Sequence, residues 1–326
     1  MTAAAAGPAA PHLQPQRRMR TVGAASLGVR HLIDGPKRPA RVIAAFASAV
    51  YLELRVPGPE PRVLALVTPS AVRLPNAVVV TPHTSLPPQP ERGRAWRDAP
   101  PQHAGAGQAA WIAAAAGDDG CVGEGAVQAG HIRVPVRRWW DPSPVFGPLS
   151  RARLEQGCAA LESICAASSR KPGLEGHDAL AGLAMSCATG DLAGAVEAAD
   201  ILIGLGPGLT PSGDDVLAGL LLALRLLGGA IRGGTRAVWL ADWLSAAVTH
   251  DAGSRTTSLS ATLLHCAARG QAAAEVATVL RAFAGQEPAG PAAARLLTAG
   301  HTSGADLAWG LAAGCRAALA LSAEPL

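Results

Sequence analysis

Lysine is almost missing from this 326-residue chain: Lys37 and Lys171 are its only two, so nearly all of its 28 basic residues are arginine. Neither lysine follows a glycine, so there is no Gly-Lys-Ser/Thr phosphate loop and a Walker-type kinase or ATPase is excluded. No Gly-x-Ser-x-Gly elbow and no His-Glu-x-x-His pair occurs, which disfavours α/β-hydrolase and zincin chemistry. Aromatic residues are only 3% of the chain, and the arginines are scattered rather than interleaved with them, so nucleic acid is not an expected partner. The longest apolar stretch, Val216 to Leu224, ends at Arg225, far short of the ~20 residues a bilayer span needs, and no membrane contact is expected. The six cysteines contain no Cys-x-x-Cys pair and read as small buried apolar residues of a reducing, cytoplasmic compartment.

What is present is apolar and foldable. Hydrophobic residues make up 49%, charged residues 16%, and the formal net charge is +4, which excludes wholesale disorder. In residues 1–20 an Ala/Pro run precedes Arg17, Arg18 and Arg20, the reverse of a signal peptide, and a disordered tail is expected there. From residue 21 to 147 short stretches with period-two alternation are broken by Pro and Gly, which predicts a β-rich domain. Its clearest strands are Val50 to Val56, a hairpin partner Val63 to Val67, Ala77 to Thr81 and Ile132 to Val136. A Pro/Arg/Gln-rich surface loop is expected over 84–107. From 148 to 326 the period becomes 3.6, which predicts a mainly α-helical bundle domain with helices at 149–167, 176–189, 191–203, 213–227, 235–248, 256–269, 272–284 and 303–321. The whole reads as α+β with segregated halves.

The most informative stretch is Gly204-Leu-Gly206-Pro-Gly208-Leu-Thr210-Pro-Ser212-Gly213-Asp214-Asp215, which runs straight into a helix. Spaced glycines let backbone approach a ligand, and a helix N-terminus attracts anions. A second stretch, Gly300-His301-Thr302-Ser303-Gly304-Ala305-Asp306, repeats it without a gap as Ser-Gly-x-Asp-x-x-x-Gly-Leu, pairing Ser212 with Ser303, Asp215 with Asp306 and Gly219 with Gly310. The two loops are expected to face one site. Ser-x-x-Asp is also a capping box, a purely structural alternative for those four residues. Asp214 and Asp215 would repel an anion unless Mg²⁺ or an arginine stood between, and with Asp215 as a cap only Asp214 stays free as a metal ligand. A third cluster, Ser254-Arg255-Thr256-Thr257-Ser258, offers a guanidinium and hydroxyls for an anion, or else an N-cap with a solvated arginine. His301 lies inside the second loop and is the best-placed histidine for proton transfer.

In Gly204-x-Gly-x-Gly-Leu-Thr-Pro-Ser-Gly-Asp-Asp-x-Leu-x-Gly219 the chain resembles a bacterial family that includes the AllH subunit of oxamate carbamoyltransferase. Pro75-Asn76, Trp140-x-Pro142, Arg255-Thr256-Thr257 with Ser260 and Leu264, and Gly300 to Asp306 look like further family features. The resemblance implies a subunit of an enzyme that interconverts oxalurate and phosphate with oxamate and carbamoyl phosphate, alongside AllF-like and AllG-like chains. Arg255, Asp214 and His301 are then the candidate catalytic groups. Gly204, Gly206, Gly208, Thr210, Ser212, Gly213, Thr256, Thr257, Ser303, Gly304 and Asp306 are the candidate binders of a small anionic substrate such as carbamoyl phosphate or oxalurate, and Asp214 with Asp215 the candidate Mg²⁺ ligands. The alternatives are a non-catalytic assembly subunit whose loops are helix caps, and a stand-alone Mg²⁺-dependent enzyme on a phosphorylated metabolite.

Overall fold

The computed structural model describes residues 21–56, 58, 60, 62–82, 114–130 and 132–322. The expected tail at 1–20 and loop at 84–107 lie outside these residues. The alternation of Val50, Leu52 and Leu54 does what its period predicts: the three side chains are buried together inside a sheet that closes on itself. Eight strands form this barrel: β1 (Thr21–Ser26), β2 (Arg38–Ala45), β3 (Ala49–Leu54), β4 (Val63–Val67), β5 (Ala77–Pro82), β6 (Asp119–Gly123), β7 (Ala126–Ala129) and β8 (Ile132–Trp140). Their order is β1-β5-β4-β3-β2-β6-β7-β8, and the parallel pairing of β8 with β1 closes the ring. A short helix, α1 (Arg30–Ile33), links β1 to β2 and adds Leu32 and Ile33 to the barrel core.

Strand β4 is apolar at every position because it is buried on both faces. Leu64 and Leu66 point into the barrel, while Ala65 and Val67 join Ala49, Ala77 and Val79 in a second cluster on its outer side. The C-terminal half is helical: α2 (Arg151–Ala167), α3 (Asp178–Thr189), α4 (Leu192–Leu202), α5 (Ser212–Ala230), α6 (Thr235–His250), α7 (Ala252–Arg255), α8 (Ser258–Ala268), α9 (Ala274–Phe283), α10 (Ala289–Leu297) and α11 (Ser303–Leu321). Helix α8 lies against β3 and β4, where the Thr262 hydroxyl accepts a hydrogen bond from Val63 N–H at 3.1 Å. Arg269 forks onto Glu60, and the N–H groups of Ala272 and Ala274 donate to the carbonyls of Pro142 and Arg73. The barrel is thereby fastened to the helices around one seam.

Every predicted helix is present within a few residues of its expected ends, and α10, which contains Pro291, is an addition to them. Proline is tolerated there because it sits in the first turn, where its missing N–H would have had no partner. The apolar helix α5 is buried over almost its whole length, as its composition predicts.

Candidate functional site

The repeat in the sequence becomes a pair of parallel helices. Helices α5 and α11 lie side by side with both N-termini at the same end, and they touch backbone to backbone. A Cβ added at Gly219 would lie 2.4 Å from the Leu307 carbonyl oxygen, and one added at Gly310 would lie 2.1 Å from that of Val216. Those two contacts are images of each other under the repeat, so the pair has a local two-fold symmetry. Nearer the N-termini, Gly213 abuts the Leu202 carbonyl of α4 and Gly304 the Leu296 carbonyl of α10, each with 2.0 Å for a Cβ, so there each helix packs closely on the one before it in sequence.

The symmetry extends to the polar end. Thr210 and Ser303 hydroxyls are 3.1 Å apart, and those of Ser212 and Thr302 3.3 Å. Hydroxyls of Ser303 and Thr210 face Asp215, while those of Ser212 and Thr302 face Asp306, whose Oδ1 also accepts the Gly173 N–H at 2.8 Å. Each aspartate is thus served by the serine of the other helix. This corrects the capping-box alternative: Ser212 and Ser303 are the first residues inside their helices, and neither helix start has a side-chain cap. The two loops touch through these hydroxyls, with crossed rather than local partners.

Asp214 turns the other way, toward α8. Its carboxylate accepts hydrogen bonds from Gly204 N–H at 2.8 Å, from Ser260 Oγ at 2.7 Å and from Thr256 Oγ1, all in the interior. Thr257 caps α8 through the Ser260 N–H and donates to the Leu209 carbonyl. Gly204 and Gly206 hold positive φ (75° and 117°) and press on the Arg255 carbonyl and the Ser212 N–H; Gly208 (φ 97°) has open space at its Cα. The Arg255 guanidinium forks onto the carboxylate and carbonyl of Asp200, and His301 is exposed, its carbonyl taking a hydrogen bond from Arg170. So the glycine loop, Asp214 and the Arg255-Thr-Thr cluster form one internal lock, and Arg255 and His301 stand apart from the paired aspartates.

Asp214 and Asp215 therefore diverge, and the three donors on Asp214 already occupy both of its oxygens. No group of three or more His, Cys, Asp or Glu side chains suited to a metal ion occurs among the described residues. The arrangement does not fit the Mg²⁺ site expected from the paired aspartates.

Asp215 instead lines a cleft of about 200 Å³ between the barrel and the helices, together with Thr210, Ser303, Tyr51, Gln271 and Glu275. Asp215 is only 6% exposed and its Oδ2 has no hydrogen-bond partner. Burial pushes its carboxyl up to about 8, the charges of Asp306 and Asp214 adding to the rise and the Ser303 and Thr210 hydroxyls opposing it. Burial likewise raises Asp306, against the pull of the Gly173 N–H and the Ser212 and Thr302 hydroxyls. At neutral pH Asp215 is thus mainly a neutral acid, able to donate. Burial also raises the Tyr51 phenol. A larger cavity of about 560 Å³ borders another face of α11 and carries Arg170, Lys171 and Arg316. Each of those cations is already engaged, with the Gly300 and His301 carbonyls, the Ala166 carbonyl and Glu162 respectively. We place the candidate site in the smaller cleft because the unpartnered oxygens of Asp215 and Glu275 belong to residues that line it. Tyr51, Gln271 and Glu275 had no signal in the sequence: they reach the cleft from a strand, a loop and a helix start that only the tertiary fold brings together.

Residues 202–315 match the family model described as oxamate carbamoyltransferase subunit AllH, a span that holds both loops and the whole α5 helix. No curated protein and no solved structure matches the chain.

Proposed function

We propose that the chain is a subunit of a carbamoyl-transfer enzyme of the oxamate carbamoyltransferase kind, and that it meets its small substrate in the cleft at Asp215. The observation that carries this reading is a buried acid, protonated at neutral pH and unpartnered at one oxygen, within the span that matches the AllH family. A neutral carboxylic acid in a dry cleft can hydrogen-bond to a carbonyl oxygen and stabilise the negative charge that grows there during attack. Ser303 and Thr210 orient Asp215, and the crossed contacts of Ser212 with Asp306 hold the second helix in register. Asp214 and the glycines act one step back, by fixing the loop that carries Thr210.

In the reaction that the family description suggests, the carbamoyl group of oxalurate passes to phosphate and oxamate leaves. The AllF-like and AllG-like chains would complete the enzyme. The test uses the complex assembled from all three chains, supplied with oxalurate and phosphate and assayed for oxamate. Replacing Asp215 with Leu, which keeps the size and removes the donor, is expected to lower kcat about 100-fold, the usual cost of losing one such donor. Wild-type turnover should also fall as pH rises through about 8, where Asp215 loses its proton. Turnover unchanged in Asp215→Leu would remove the cleft from the chemistry and favour the assembly-subunit alternative.

A further inference from the structure

The polarity of the cleft restricts what can enter it. Two buried carboxylate oxygens, Asp215 Oδ2 and Glu275 Oε2, belong to residues that line it, and neither has a hydrogen-bond partner. A buried acceptor left unmade is costly, so a ligand that supplies donors gains what the empty cleft forgoes. Among the described residues, no arginine, lysine or histidine lines the cleft to balance an anion. The remaining polar groups, Tyr51, Gln271, Thr210 and Ser303, are neutral, and the walls between them are leucine and alanine, which suit a flat group.

We infer that Asp215 and Glu275 are the specificity-determining pair of the cleft, that they read the N–H face of a planar carbamoyl, ureido or guanidino group, and that phosphate is bound elsewhere. This deepens the proposed function and rests on its placing of the substrate in this cleft. The ligand's N–H groups donate to Glu275, and Asp215 either donates to a carbonyl oxygen opposite or, once ionised, accepts from a cationic group. A phosphate or free carboxylate finds no cation among the described lining residues to balance its charge, and is not held there. In a carbamoyl transfer the anionic co-substrate must then approach from outside the cleft, from a surface that a partner chain supplies.

The test is thermal melting of the full chain with about 10 mM N-methylurea, methylguanidinium, inorganic phosphate or acetate, at about pH 7 and about pH 9. One of the two N–H donors is expected to raise Tm by about 2–4 °C, while phosphate and acetate leave it unchanged. Glu275→Gln, a half-exposed and isosteric change, should retain the ligand-free Tm and weaken donor binding about tenfold. Asp215→Leu, which removes both donor and acceptor, provides a second, independent loss. Binding of N-methylurea that fades at the higher pH identifies a neutral amide; methylguanidinium binding that strengthens there identifies a cation. Stabilisation by phosphate or acetate that Glu275→Gln leaves intact, or no shift with either donor, overturns the inference. The two readings fail separately. Donor binding with unchanged turnover in Asp215→Leu sinks the transfer reading alone, whereas lost turnover without donor binding sinks this one alone.

Discussion

Asp215 destabilises the fold at neutral pH, and the sign can be followed through the titration. In the unfolded chain it ionises near the usual carboxylate value of about 3.9. In the folded chain it holds its proton up to about 8. Below about pH 4 both states are protonated and the stabilising difference is fully present; as pH rises the unfolded state sheds its proton first, so stability falls by up to about 1.4 kcal/mol per pH unit until about pH 8. Asp215→Asn should flatten that slope and leave a protein more stable than wild type at pH 8, measured by urea unfolding at several pH values. An equal slope in both proteins would contradict the buried protonated state. Asp214 is the opposite case. Asp214→Ala strands three donors, Gly204 N–H, Thr256 and Ser260, around a cavity, and should cost about 3–5 kcal/mol in the same experiment. Arg255, paired with Asp200 at a partly exposed position, should lose about 0–1 kcal/mol on change to Ala and leave turnover of the complex unchanged.

At the scale of elements, the paired glycines of α5 and α11 set how closely the two helices approach. In an exposed helix Gly→Ala gains about 1 kcal/mol, yet here the added methyl would sit on a carbonyl oxygen of the facing helix. Gly219→Ala and Gly310→Ala should each cost about 3 kcal/mol or more. Because either change alone pushes the helices apart, the double variant should cost clearly less than the sum, and additive costs would mean that the two contacts are independent. The repeat that creates this pair is legible in the sequence as Ser-Gly-x-Asp-x-x-x-Gly-Leu, and the long helices follow from their period. The crossing of Ser303 to Asp215 and of Ser212 to Asp306 was not legible, because a local capping box and partners 88 and 94 positions away use the same residue types. Strands β3, β4, β5 and β8 announce themselves by alternation or by a solid apolar run. Strands β6 and β7 are short and hold glycine and glutamine, so their pairing is decided by the closing of the barrel rather than by propensity.

For the whole molecule, the seam between barrel and helices carries both the cleft and the join. Thr262→Val would leave the buried Val63 N–H without its acceptor and should lower stability by about 1–3 kcal/mol, whereas Arg269→Ala, at a half-exposed ion pair, should cost about 1 kcal/mol or less. Equal effects of the two would mean that charge rather than burial holds the seam. The parallel pair at the centre has a further consequence during synthesis. Helix α5 leaves the ribosome with an apolar surface that only α11 can cover, and α11 follows 91 residues later. At about 5–20 residues per second that interval is about 5–20 s, in which the nascent chain leaves open the face of α5 that α11 covers. The same intimacy that makes the finished core close-packed therefore makes the unfinished one a client for chaperones, and the last helix to be made is the one that ends that dependence.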